Sequence, residues 1–228
     1  MSAAADPRIF PLGDSALTVE FGSIISEPLN KTAIALADHM SGHPFPGFIE
    51  AVPAYASTTV YYHPHIVRQN FDAFSTAFEA VRSLAEDAMA YLGYDADIKS
   101  RTVEIPVDFS ASAGLDLQDI AVHASMSVSE VIETFTSATY RVYMLGFLPG
   151  FSYMGEVDER IAAPRRATPR LAVPKGSVGI AGRQTGIYSL ESPGGWQIVG
   201  RTDIEMFSPG SPEPCHLRPG DNVRFVRV

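Results

Sequence analysis

Between Gly146 and Gly200 the chain places ten of its eighteen glycines and five of its seventeen prolines, a density that no long helix survives. From Tyr140 onward the apolar residues come in short runs broken by these turn formers, which predicts a closed β-barrel with long loops. Three segments carry more than turns require: Gly146-Phe147-Leu148-Pro149-Gly150-Phe151-Ser152-Tyr153, Gly182-Arg183-Gln184-Thr185-Gly186-Ile187-Tyr188 and Ser192-Pro193-Gly194-Gly195-Trp196. Tight turns alone explain the glycines but not Trp196 or Gln184 at their edges. Aromatic walls with a few fixed polar groups are the make-up of a ligand pocket.

The first half follows a different pattern. Arg8 to Phe21, with the turn Gly13-Asp14, reads as a hairpin. Ser26 is a candidate N-cap with Pro28 in the first turn, and Leu29, Ala33, Leu36 and Met40 recur at helical spacing before Gly42. Gly47–Pro53 and Ser57–Tyr62 read as strands. A second helix is expected from a cap at Asn70, with Phe71, Phe74, Phe78, Val81, Leu84, Ala88 and Leu92 forming its buried stripe and Gly93 stopping it. Helices on one face of a small sheet make an α+β unit, expected over residues 1–95. The second unit, expected over 100–228, opens with the alternation Val103, Ile105, Val107, Phe109. A short helix over Leu115–Ala124, a capping box at Ser127-Val128-Ser129-Glu130 and a final type II turn at Arg218-Pro219-Gly220-Asp221 complete it, the turn leading into a strand at Asn222–Val228.

A net charge of −9 disfavours nucleic acid and anionic membranes as partners. Without a long apolar stretch or a leader-like start, the expected location is the cytoplasm. The lone Cys215 reads as a small apolar residue. Between Arg160 and Arg201 the charge reverses: Arg160, Arg165, Arg166, Arg170, Lys175, Arg183 and Arg201 face one acid, Glu191. Such an island can draw in a carboxylate or phosphate.

Arg166, Arg170 and Arg201 are therefore candidate anion ligands, and Gln184, Thr185, Tyr188 and the amides of Gly194 and Gly195 are candidates to hold an amide oxygen beside Trp196. No nucleophile is singled out. Phosphate-loop, nucleophile-elbow and zinc-helix motifs are absent. His39 and His43 lie where a helix ends, and His63 and His65 flank Pro64 in what reads as a turn; both pairs read as exposed structural histidines, with no metal site expected.

The three glycine-rich segments, with Pro164-Arg165-Arg166-Ala167-Thr168-Pro169-Arg170, Val173-Pro174-Lys175-Gly176-Ser177-Val178-Gly179-Ile180 and Gly200-Arg201-Thr202, resemble the signature of the 5-oxoprolinase B-component family, also described as KipI-like or allophanate hydrolase subunit 1-like. Gly13-Asp14-Ser15-Ala16, Glu50-Ala51-Val52-Pro53-Ala54-Tyr55 and Ile105-Pro106-Val107 extend the likeness to the whole chain. The resemblance implies a ferredoxin-like α+β domain followed by a cyclophilin-like β-barrel, and it is similar to one half of the carboxyltransferase region of urea amidolyases. It also implies work with a C component of related barrel fold and an A component, opening 5-oxo-L-proline to L-glutamate with ATP and magnesium. The alternatives it carries are inhibition of a histidine kinase's autophosphorylation, or a role in an allophanate- or urea-type amide hydrolase. This chain departs from the usual family pattern at Lys175 (usually alanine), Phe135 (usually a histidine shortly before the tyrosine matched by Tyr140) and Ser189 (usually proline).

Overall fold

A computed structural model describes residues 6–92 and 100–228. The chain divides into two compact units, Met1–Lys99 and Ser100–Val228. The expected helix stop at Gly93, and the start of the expected boundary there, lie outside the described residues.

The first unit is a four-stranded antiparallel sheet in the order β1 (Arg8–Pro11), β2 (Ala16–Glu20), β4 (Ser57–Tyr62), β3 (Phe48–Pro53). Helix α1 (Glu27–Gly42) begins as its sequence predicts, with Ser26 Oγ accepting from the Leu29 amide. Its buried residues Ala33, Leu36 and Met40 join Leu17, Val19 and Val60 of the sheet in one apolar core. Strand β1 occupies the edge that the last strand of a ferredoxin-like sheet usually fills, so the layered α+β arrangement is kept with a different connection.

Two local expectations need correction. Pro64 opens a helix, α2 (Pro64–Asn70), because its fixed φ suits the first helical position and its missing N–H costs nothing there. Asn70 therefore ends a helix, its side chain donating to the Ile66 carbonyl, and does not cap the next. The long helix, α3 (Ala77–Leu92), starts at a reciprocal box in which Thr76 and Glu79 exchange backbone-to-side-chain hydrogen bonds of 3.0 and 3.1 Å. Phe71 and Phe74 still pack on the core, from the turn between the helices. His39 and His43 stack at 4.5 Å at the end of α1, and no group of side chains able to hold a metal ion occurs among the described residues.

In the second unit, helices α4 (Leu117–Ala124) and α5 (Val128–Ser137) separate the first barrel strand from the rest, α5 opening with the Ser127–Glu130 box. Seven strands follow the order β12 (Gln197–Arg201), β9 (Ser177–Ala181), β10 (Gln184–Ile187), β7 (Ser152–Gly155), β6 (Tyr140–Leu145), β13 (Asn222–Arg227), β5 (Thr102–Val107). Only β13 and β5 run parallel. The two edges meet at one point, where Asp108 and Arg201 exchange backbone hydrogen bonds of 2.8 and 2.9 Å, which makes the sheet a nearly closed barrel. A two-stranded ribbon, β8 (Arg170–Val173) with β11 (Ser192–Gly194), stands outside it.

Alternation decides what fills the barrel. Ile105, Val107, Phe109, Tyr140, Val142, Met154, Val178, Ile180, Ile187 and Phe225 form its interior with the apolar faces of α4 and α5. Phe135 is wholly buried there, 4.9 Å from the ring of Phe225 and 5.1 Å from Tyr140. At this departure from the family pattern the chain has an apolar core residue, positioned for packing and not for chemistry.

Ser189 is also fully buried, and its hydroxyl has no hydrogen-bond partner among the described residues. An unsatisfied buried hydroxyl costs about 1–3 kcal/mol. Replacing Ser189 with alanine should therefore leave the barrel as stable or stabilise it by up to about 1 kcal/mol. A fall in thermal midpoint for Ser189→Ala would show that the hydroxyl is satisfied after all.

Candidate binding cleft on the barrel wall

Phe151, immediately before β7, and Tyr153 within it are two residues apart and lie to one side of the strand, while Ser152 and Met154 lie to the other. Met154 lies in the barrel interior, so the two aromatic rings stand outside it. Tyr188, just past β10, and Trp196, just before β12, meet them: Phe151 lies edge-on to Tyr188 at 5.2 Å and to Trp196 at 5.6 Å, and Tyr153 lies 5.9 Å from Trp196. Phe147 completes this wall from the loop before β7. Its backbone is left-handed, at φ +66°, a conformation that costs a non-glycine residue on the order of 1–2 kcal/mol. The cost is offset by ring contacts, edge-on to Phe151 at 5.5 Å and to Tyr188 at 6.4 Å.

These rings form one side of a cleft of about 240 Å³. Pro193, Gly194 and Gly195 of the β11 turn, with Arg165 and Pro169 of the loop before β8, form the other. The space suits a guest smaller than the ligands that fill pockets of roughly 300–1,000 Å³. The Arg165 guanidinium lies 5.9 Å from the centre of the Trp196 ring, within cation–π range. Among the described residues no carboxylate forms an ion pair with it.

The titratable groups lining the cleft are Arg165, Tyr153 and Tyr188. Burial raises the pKa of both phenols, outweighing the opposing pull of Arg165, and Tyr188 also feels a hydrogen bond from the Trp196 amide. Both phenols are therefore protonated at neutral pH. The lining offers hydrogen-bond donors, apolar walls and one cation, but no carboxylate, imidazole or thiol to act as base or nucleophile. It can bind and orient a guest without breaking a bond in it.

Of the candidate ligand residues, Tyr188, Gly194, Gly195 and Trp196 come together here. The others lie elsewhere. Arg166 and Arg170 turn to Asp116, whose side chain is buried: Arg166 Nη1 reaches Oδ1 at 2.7 Å, and Arg170 bonds both oxygens at 2.7 and 2.8 Å. Thr185 is wholly buried and donates to the Gly179 carbonyl, on the strand face it shares with the core residue Ile187. Gln184 begins β10, opposite Ala181 and Gly155, at the far end of that strand from Tyr188. Arg201 belongs to a different depression at the barrel seam, with Pro106, Asp108 and Asp203.

The positive island largely dissolves for the same reason. Arg160 pairs with Asp158, Lys175 with Glu205, and Arg183 with Glu156 and Glu159, while Arg166 and Arg170 neutralise Asp116. What remains at the cleft is Arg165, which the charge count includes but the choice of ligands passes over. Phe147, Phe151 and Tyr153 likewise sit inside one of the three glycine-rich segments without being singled out, though the period-two spacing of Phe151 and Tyr153 signals a shared face.

The carboxyltransferase domain, subdomain C and D, model matches residues 7–217. The chain belongs to that family. Among its relatives, the B component of 5-oxoprolinase from Bacillus subtilis (strain 168) is 44% identical over 97% of this chain and 92% of its own length. The protein of the same name from Escherichia coli O157:H7 is 39% identical over 96% and 95%. A crystal structure of the protein TTHA0988 superposes with a TM-score of 0.80 at 36% identity, covering 93% of this chain. The chain spans 40% of that longer one. In this carboxyltransferase-type family member, then, the matched region takes in most of both units. Among the described residues no helix is long and apolar enough to cross a membrane.

Proposed function

We propose that the chain is the B component of an ATP-dependent lactam hydrolase that opens 5-oxo-L-proline to L-glutamate, and that the aromatic cleft holds the substrate. The observation that carries this reading is the pairing of an apolar wall with one uncommitted guanidinium in a space of about 240 Å³. A five-membered lactam bearing a carboxylate presents a flat face to the aromatic wall, whose accessible rings are Phe147 and Tyr153 backed by the buried Tyr188 and Trp196, and an anion to Arg165. The names of the Bacillus subtilis and Escherichia coli relatives point to the same substrate.

An unstrained lactam is a poor electrophile. Transfer of a phosphoryl group from ATP to its oxygen activates the ring carbon: water adds there, the C–N bond breaks as the nitrogen takes up a proton, and the resulting acyl phosphate is hydrolysed by a second water to carboxylate and phosphate. This cleft supplies no base for such a step, and no residues arranged for a metal ion occur among those described. ATP, its magnesium and the catalytic groups are therefore assigned to C- and A-type partner components, while this chain binds and orients the guest. Co-expression with such partners should give ATP-dependent glutamate release from 5-oxo-L-proline. Release no greater than from each component alone would refute the proposal, and recovery of a histidine kinase in place of a barrel-fold partner would favour the regulatory alternative.

A further inference from the structure

Arg165 needs something to hold it over Trp196, since it is exposed and makes no ion pair of its own among the described residues. Its neighbour Arg166 is anchored twice. The Arg166 amide donates to the Gly195 carbonyl at 2.8 Å, and its guanidinium bonds Asp116. On the other side of the cation–π contact, Ile198 follows Trp196 by two residues and is fixed to the same aspartate: the Ile198 amide donates to Asp116 Oδ2 at 2.6 Å, and the Asp116 amide donates to the Ile198 carbonyl at 2.9 Å. Arg170, at the start of β8, adds two further bonds to the carboxylate.

Asp116 thus ties together the loop that carries Arg165 and the strand that follows Trp196. It occupies the N-cap position of α4, yet its side chain makes no capping bond and is spent on this junction. A carboxylate only 1% exposed is costly unless paired and hydrogen-bonded, and all the bonds that compensate it converge on this one place. The geometry points to Asp116 as the positioning residue that sets the Arg165 guanidinium over the cleft. The inference rests on the reading of the cleft as the substrate site, but the placement of Arg165 can be followed without substrate.

Trp196 is the only tryptophan in the chain, so its emission reports the cation above it. Three variants are compared with the parent: Arg165→Ala, Asp116→Asn, which keeps the side-chain volume, and Arg166→Gln, which removes the guanidinium anchor of the loop at a partly exposed position and keeps the backbone one. Each is first confirmed as folded by thermal unfolding; should Asp116→Asn fail to fold, Arg166→Gln decides. The expected result is that Asp116→Asn and Arg166→Gln shift Trp196 emission in the same direction as Arg165→Ala. In the assembled complex both should raise KM for 5-oxo-L-proline by roughly tenfold with little change in kcat, the scale of a lost positioning contact. Neither should add to the effect of Arg165→Ala when combined with it.

Emission and KM unaltered by Asp116→Asn and Arg166→Gln, where Arg165→Ala changes both, would overturn the positioning role. Full additivity with Arg165→Ala would overturn it too. If Arg165→Ala leaves KM untouched, the substrate site is misplaced, and the role of Asp116 is then decided by Trp196 emission alone.

Discussion

Arg165→Ala is expected to raise KM for 5-oxo-L-proline by about ten- to a hundredfold in the complex, with kcat little changed. Hydrogen bonds to a charged group contribute about 1.5–3 kcal/mol, and each 1.4 kcal/mol is tenfold in affinity. Among the described residues Arg165 is the one cation lining the cleft and has no ion-pair partner, so no neighbouring arginine stands ready to replace it. Because it contacts a carboxylate that does not react, its loss removes ground-state and transition-state binding alike, which appears in KM. The fold should be unaffected, since the side chain is exposed. Steady-state kinetics with the carboxylate substrate and with its neutral amide separate the two contributions: the amide should be nearly indifferent to the substitution. An equal loss with both substrates would mean that Arg165 acts through packing or folding.

Gly176→Ala should be the most damaging single-methyl change in the barrel. Gly176 holds φ at +81° in the turn before β9, and a Cβ there would meet the Thr202 carbonyl oxygen at 2.1 Å. The Gly176 amide donates to the Tyr188 carbonyl and its carbonyl accepts from the Thr202 amide, so relief of the clash breaks hydrogen bonds to the residues that follow β10 and β12. Left-handed strain of about 1–2 kcal/mol adds to overpacking of about 1–3 kcal/mol, giving a loss of about 2–5 kcal/mol. Gly182→Ala is the matched control: φ there is +58° but nothing lies within 4 Å, so only the conformational part, about 1–2 kcal/mol, should be lost. Thermal unfolding followed through Trp196 compares them, and equal midpoints for the two variants would show that the backbone contact at Gly176 relaxes freely.

Much of the architecture is legible in the sequence because its signals are local. Ser26 and Ser127 announce helices within a turn of where these begin, and the alternation from Val103 to Phe109 shows which face of β5 is buried. The start of α3 is hidden because the aromatic stripe continues backwards through Phe71 and Phe74, which pack on the same core without being helical with it. The site is only partly legible, for a different reason. A charge count over residues 160–201 sees arginines but not Asp116, which is 50 residues from Arg166 and 54 from Arg170. Which cations are spent on buried carboxylates, and which remain for a ligand, is fixed by barrel closure. Thr185 and Arg201 fall outside the cleft on the same ground, since sheet pairing alone decides that one faces inward and the other joins the seam.

The most direct measurement is a titration of the purified chain with 5-oxo-L-proline followed by Trp196 fluorescence, alongside turnover by the complex. A saturable change in the parent that disappears in Arg165→Ala, with turnover weakened in parallel, is the expected result. Turnover by a complex in which Trp196 never responds to substrate, and in which Arg165→Ala binds as well as the parent, would place the substrate elsewhere.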